Sequence, residues 1–153
     1  MTKFPNQVLW STQKSHLEDI DSWTNITLAS SIDLDGNKGP VNSLVNFNDS
    51  LYCFQDKSIS QLLFNSRVQI PVSDGVPVEI SNNYKMEGSR TIVDQIGCHD
   101  KFSMVTTPNG IYFADAFSKA LYLFNGQITD LSSVHGMSMW AKENCTMDTW
   151  YFR

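Results

Sequence analysis

The sequence of 153 residues is poor in charge and in cysteine, and each shortage excludes a class of protein. Charged residues make up 18% of the chain, and its 11 basic and 16 acidic side chains are interspersed. Nucleic-acid-binding proteins usually carry a basic stripe, and this sequence has none. The cysteines, Cys53, Cys98 and Cys145, form no closely spaced pair, which argues against a disulfide framework.

Long hydrophobic runs and a secretory leader are also missing. Apolar runs reach only a few residues, whereas a membrane-spanning helix needs ~20. Residues 1–10 lack a basic stretch followed by an apolar one, so we expect no signal peptide. Hydrophobic residues nevertheless make up 41% of the chain and aromatic residues 12%, which predicts a folded domain with a sizeable core.

The sequence is similar to itself at a spacing of 60 residues. Between residues 43–68 and 103–128, seven positions carry the same residue type without a gap. The matches concentrate at apolar positions, as a repeated core requires. We therefore predict a repeated core that includes Tyr52, Leu63, Phe64, Tyr112, Leu123 and Phe124.

Each copy is predicted to form four short strands separated by turn-forming residues. The predicted strands cover residues 42–47, 50–55, 60–65 and 67–72 in the first copy, and 102–106, 110–115, 120–125 and 127–131 in the second. Residues 111–114 and 121–124 are apolar on both faces of their strands. Such strands indicate sheets that are covered on both sides.

Four-stranded antiparallel units with two buried faces are typical of β-propeller blades. We predict an all-β fold built of antiparallel four-stranded blades that form part of a β-propeller, and a β-sandwich is the alternative. The expected division is a preceding blade or linker over 1–40, blade repeats over 41–72 and 101–131, an excursion over 73–100, and the start of a following blade over 132–153.

Two blades cannot close a ring, so we expect the chain to be part of a larger propeller or to complete its sheets with other chains. The apolar, strand-like segment 147–153 also ends without a turn, and natural proteins avoid such unpaired strand edges. The aromatic residues expected at an interface are Trp140, Trp150, Tyr151 and Phe152.

Residues that could carry chemistry form no complete set. Asp33 and Asp35 resemble the start of a calcium loop, but Lys38 stands where an EF-hand needs glycine. There is no serine elbow and no glycine-rich phosphate loop. The set that most resembles a zinc site lacks the usual ligand spacing: Cys98, His99, His135 and Cys145. We therefore predict no catalytic residues, no metal site and no cofactor.

A recurrent pattern runs from residue 88 to residue 144. It comprises Gly-Ser-Arg at 88–90, Ile-Gly-Cys-His-Asp-Lys-Phe-Ser at 96–103, Pro-Asn-Gly-Ile-Tyr-Phe-Ala-Asp at 108–115, Ser-Lys-Ala-Leu-Tyr-Leu-Phe-Asn-Gly at 118–126, Trp140 and Lys-Glu-Asn at 142–144. Gln-Asp-Lys at 55–57 fits the equivalent turn one repeat earlier. Over roughly residues 40–145 the chain resembles the β-propeller structural proteins at the tail end of short-tailed bacteriophages, notably the muzzle or stopper-type tail proteins of crAss-like phages. Members of that family are far longer than this chain.

The resemblance implies a non-enzymatic component of the virion, assembled in the bacterial cytoplasm, that helps to close or extend the tail channel. The implied partners are other virion tail proteins or further copies of the same chain. An alternative from another class is a carbohydrate-binding propeller, in which exposed tryptophan and tyrosine rings stack on glycans. A weaker one is a glycan-active enzyme whose carboxylates meet only in the folded chain.

Overall fold

A computed structural model describes residues 3–12, 21–27, 29–64, 68–70, 78–80 and 86–146. The β-rich class is confirmed, because strands dominate these residues and every described strand pair is antiparallel. The strands are β1 (Gln7–Leu9), β2 (Ser31–Asp33), β3 (Val41–Phe47), β4 (Ser50–Gln55), β5 (Ser58–Phe64), β6 (Val68–Ile70), β7 (Val78–Ile80), β8 (Met86–Asp94), β9 (Met104–Thr107), β10 (Gly110–Asp115), β11 (Ala120–Phe124) and β12 (Ile128–Asp130). Two short helices follow, α1 (Leu131–Val134) and α2 (Ser138–Asn144).

Two four-stranded sheets form the body of the described structure. The first sheet has the strand order β3-β4-β5-β8, and the second has the order β9-β10-β11-β12. Two-stranded sheets are formed by β1 with β2 and by β6 with β7. The described residues form no closed ring of sheets, so the propeller and the alternative sandwich both stay predictions.

The fourth strand of the first sheet is not the predicted one. Residues 67–72 were expected there, but β6 lies within that range and pairs with β7 in a separate sheet. The fourth strand is β8, which belongs to the expected excursion over 73–100. With nine residues β8 can pair along the whole of β5, whereas β6 has only three. In the second sheet all four strands lie close to their predicted positions.

A two-residue turn fixes the register of the β3–β4 hairpin. Phe47 lies opposite Ser50, and Asn48 and Asp49 between them have φ values of 49° and 57°. Asparagine and aspartate tolerate this left-handed conformation better than most residues, and the resulting turn matches the twist of the strands.

The two four-stranded sheets are stacked, and a core of aromatic rings lies between them. Phe54 on β4 is fully buried and contacts the ring of Phe113 at 5.4 Å between centroids and that of Phe124 at 6.4 Å. Tyr52 meets Phe124 edge to face at 4.9 Å. The same core includes Phe47, Ile59, Cys98, Ile111, Ala120 and Tyr122. Aromatic pairs of this geometry contribute about 0.5–1.5 kcal/mol each beyond their buried area.

Each sheet is also covered on its other side. Behind the first sheet, Cys53, Leu62 and Met86 pack against Val8 and Leu34 from the β1–β2 layer. Beyond the second sheet, Ala114 packs against Ala141 and Cys145 from α2 and the residue after it. Of residues 111–114 and 121–124, those that face the first sheet are buried; on the other face Ala114 is buried, and Tyr112, Leu121 and Leu123 are half-buried.

Side chains 60 residues apart, one in each four-stranded sheet, point in the same direction through the stack of layers. We call the side of the first sheet that carries Tyr52 and Phe54 its front face; Cys53 lies on its back face. In the second sheet, Phe113 points back at the first sheet while Ala114 points forward at α2. Because side chains alternate along a strand, Tyr112 lies on the front face with Ala114. The two sheets thus stack front to back.

Equivalent positions of the two sheets are 60 residues apart on the second strands, β4 and β10, but 62 residues apart on the third strands, β5 and β11. The turn between β4 and β5 has two residues, whereas the loop between β10 and β11 has four. Leu51 consequently pairs with Leu62, while Ile111 pairs with Phe124. By register, Phe124 corresponds to Leu62 and not to Phe64.

This shift corrects the predicted repeated core. Phe64 is 38% exposed and Leu63 is 40% exposed at the end of β5, so both lie outside the core. Tyr52 packs against the aromatic core from a half-buried position, and Tyr112 and Leu123 are half-buried on the front face of the second sheet.

We predict that Phe124→Ala lowers the free energy of unfolding by about 3–5 kcal/mol, because it leaves a cavity in the aromatic core. Phe64→Ala is the matched control, since Phe64 lies on the corresponding third strand but is partly exposed; it should cost less than half as much. Urea unfolding followed by tryptophan fluorescence measures both. Equal losses for the two variants would contradict the packing described here.

Candidate assembly interface

The contact between the two sheets shows which side chains pack on the front face of a sheet in this fold. The front face of the first sheet presents Val45, Tyr52 and Phe54, and the back face of the second presents Ile111, Phe113 and Phe124. These groups are apolar apart from the tyrosine hydroxyl, so their burial removes hydrocarbon from water. Asp115 on the same back face is also fully buried, and its carboxylate accepts hydrogen bonds from the Phe117 N–H and the Ser118 hydroxyl.

The front face of the second sheet is only partly covered. Val105, Tyr112 and Leu123 lie side by side in one row across β9, β10 and β11. Val105 is 56% exposed, and the other two side chains are half-buried. Ala114 and Leu121, nearer the end of the sheet, contact α2 through Ala141 and Cys145.

Hydrogen bonds hold α1 and α2 against the end of the second sheet. The hydroxyl of the buried Ser132 accepts the backbone N–H of Leu121 at 2.7 Å, and Ser138 donates its hydroxyl to the carbonyl of Ser132 at 3.2 Å. Asp130 caps α1 by accepting the N–H of Ser133 at 3.1 Å. The position of α2 is therefore fixed by polar contacts as well as by Ala141.

Large apolar side chains are exposed on this helical pair, together with polar and charged residues such as Lys142 and Glu143. Met139 is 77% exposed and Trp140 is 50% exposed, with exposed Val134 and Met137 near them in the chain. We call these four residues the helical patch. Trp140 was predicted from the sequence as an interface residue, and that role stays a prediction. Trp150, Tyr151 and Phe152, predicted with it, lie outside the described residues.

A polar cluster closes one end of the first sheet. The buried side chain of Gln55 donates to the carbonyls of Gly39 at 2.7 Å and Asp35 at 3.1 Å. Next to it, Asp56 accepts a hydrogen bond from Asn42 at 2.6 Å, and His99 Nδ1 lies 3.0 Å from the same oxygen. These contacts join segments up to 56 residues apart in the chain, since Asn42 also donates to the carbonyl of Cys98.

Two glycines permit the close approach on which this cluster depends. A Cβ atom on Gly97 would lie 2.2 Å from the carbonyl oxygen of Gln55. One on Gly39, which has a φ of 86°, would lie 2.6 Å from the carboxylate of Asp56. Sequence analysis identified residues 55–57 only as a turn, because the partners of Gln55 and Asp56 are distant in sequence. The cluster joins backbone segments that are distant in the sequence.

The residues considered for chemistry do not converge. Cys53, Cys98 and Cys145 are free and buried, and burial raises the pKa of each thiol, to about 12 for Cys53. Such thiols are poor nucleophiles at neutral pH. Among the described residues, no three or more His, Cys, Asp or Glu side chains are grouped to hold a metal ion. No helix within the described ranges is long and apolar enough to cross a membrane.

Comparisons with known proteins identify relatives over almost the whole chain. A family profile described as Crassvirus muzzle protein matches residues 1–151. The muzzle protein of Bacteroides phage crAss001 is 48% identical to this chain over 147 residues. The aligned region covers 96% of this chain but only 11% of that relative, so the chain spans about a tenth of the length of the curated protein it matches.

We predict that Gly97→Ala lowers the free energy of unfolding by about 1–3 kcal/mol or more, because the added methyl group collides with the backbone at Gln55. Gly88→Ala is the control: it lies on β8, and its Cβ would have open space. It should leave stability unchanged or raise it by up to about 1 kcal/mol. If thermal and urea unfolding gave similar stabilities for both variants, the tight approach at Gly97 would be wrong.

Proposed function

Because the chain belongs to the Crassvirus muzzle protein family, we propose that it is a non-enzymatic structural part of a bacteriophage tail that acts through protein–protein contacts. Membership of this family confirms the virion location expected from the sequence. The name of the relative, a muzzle protein, favours a structural role over an enzymatic one. The proposed partners are other tail proteins or further copies of the chain.

The observation that carries the proposal is the helical patch. Met139 and Trp140 expose large apolar surfaces beside a sheet that is itself incompletely covered. Proteins that act as monomers rarely expose contiguous apolar patches beyond a few hundred Å². Tryptophan and methionine are also enriched at the buried centres of protein interfaces. The patch is therefore suited to a protein partner.

We further propose that the two four-stranded sheets are neighbouring blades of a propeller. Front-to-back stacking supports this proposal, because each blade of a propeller offers one face to the blade before it and the other to the blade after it. In a sandwich whose halves are related by a two-fold axis, equivalent positions would face each other. Here Phe54 and its equivalent Ala114 lie on successive front faces. The carbohydrate-binding and glycan-active alternatives stay predictions.

We predict that the purified chain binds a fluorescent dye specific for apolar surface and elutes with a mass above 17.3 kDa in size-exclusion chromatography with light scattering. The double variant M139S/W140S should reduce both effects, because it removes most of the helical patch. F102S is the control: Phe102 is 84% exposed but lies before β9 and belongs to neither helix. A compact wild-type monomer without dye binding would contradict the proposal.

A further inference from the structure

We infer that the front face of the second sheet is the docking site for another four-stranded antiparallel sheet, supplied by a different segment of the muzzle assembly. The inference rests on the proposed structural function and names the kind of partner that this function requires. The docking site consists of the row Val105, Tyr112 and Leu123.

The chain itself contains a filled example of this site. On the front face of the first sheet, Val45, Tyr52 and Gln61 form the corresponding row across β3, β4 and β5. Val45 and Tyr52 of that row pack against the second sheet, where Tyr52 meets the ring of Phe124. Gln61 donates a hydrogen bond to Ser50 and accepts one from Arg90 within its own sheet. The row in the second sheet repeats the valine and the tyrosine at the same positions, and Leu123 replaces Gln61. It is therefore at least as apolar as the corresponding row of the first sheet.

One difference between the two front faces explains how far the docking site extends. Phe54 and Ile59 fill the end of the first front face and are fully buried by the second sheet. Their equivalents by register are Ala114 and Leu121, and the small alanine lets α2 approach with Ala141. The helix thus occupies the part of the second front face next to Ala114, and the part towards β9 remains open at Val105.

The partner must present a mainly apolar face, with any buried carboxylate hydrogen-bonded within its own loop, as Asp115 is. The neighbours of the row on the same side of the sheet, Thr107 and Thr129, are polar but uncharged. Buried charges without partners are costly, so an anionic or cationic partner surface gains nothing here. The back face of the second sheet, which packs on the first sheet, has large apolar side chains at alternate positions of a strand, such as Ile111 and Phe113. We expect the partner to present a similar pattern.

A second copy of this chain is a poor occupant. Front-to-back contacts need a free back face on the partner, and such heterologous contacts are not two-fold symmetric. In the described residues, the back face of the second sheet is covered by the first sheet. On the back face of the first sheet, Val8 and Leu34 cover the part around Cys53 and Leu62, and Leu44 on the edge strand β3 is 47% exposed. The muzzle protein of phage crAss001 has about nine-tenths of its length outside the region aligned with this chain, which is enough for further sheets.

Photo-crosslinking in the assembled phage tail tests the inference. Val105→p-benzoylphenylalanine places a photoreactive group on an exposed position of the row, where the larger side chain is tolerated in the isolated chain. After irradiation of purified particles, we expect a crosslink to a muzzle-assembly peptide outside this chain that has apolar residues at alternate positions. Thr106→p-benzoylphenylalanine is the control and should not yield that peptide, because Thr106 is exposed on the same strand but points to the back face with Ile111.

Each other outcome has a distinct meaning. A crosslink to a second copy, to residues 147–153 of the same chain or to a peptide without the alternating pattern would overturn the inference, as would no crosslink above the control. Absence of the chain from purified particles, judged by mass spectrometry, would instead overturn the proposed function. Hydroxyl-radical footprinting of unmodified particles gives a second measurement: Tyr112 and Leu123 should be oxidised several-fold more slowly in the particle than in the isolated chain, and equal rates would contradict docking.

Discussion

Phe54 lies without exposed surface between the two sheets, within ring contact of Phe113 and Phe124, and these contacts set the arrangement of everything around them. They join strands about 60 residues apart in the chain, so they supply the long-range part of the core. Burial of a phenylalanine side chain is worth about 1.5–3 kcal/mol, and edge-to-face geometry adds to that. Phe113 and its equivalent in the first sheet, Cys53, both point back, so the second sheet stacks on the first in the same orientation.

Because the sheets stack in one orientation, the two ends of the stack present different faces. A sheet with two apolar faces needs a cover on each side, and stacking in one direction leaves a front face and a back face still to be covered. Behind the first sheet, the β1–β2 layer provides Val8 and Leu34. At the other end, α2 covers Ala114 but leaves Val105 and the helical patch open. Large apolar side chains are also exposed outside the helical end, among them Phe4, Leu9 and Trp23.

Local patterns in the sequence predicted most of the fold. The strands of the second sheet were predicted well because each begins or ends at strong turn residues such as Asn109 and Gly126. The strand β8 was missed because local sequence does not show which distant segment pairs with the open edge of β5. That pairing depends on how many backbone hydrogen bonds each segment can form along β5. The gapless 60-residue spacing hid the two-residue difference in loop length, which moved Phe64 out of the core. The cluster around Gln55 and Asp56 has no local signal, since its partners come from distant loops.

A double-mutant cycle between Phe54 and Phe113 tests the front-to-back stacking of the two sheets. We expect Phe54→Leu and Phe113→Leu to be coupled by about 0.5–1.5 kcal/mol in the free energy of unfolding, because their rings touch across the interface. In a two-fold sandwich, Phe54 would face Ala114 and its neighbours, and Phe113 would point away. Additive effects of the two substitutions would therefore contradict the stacking.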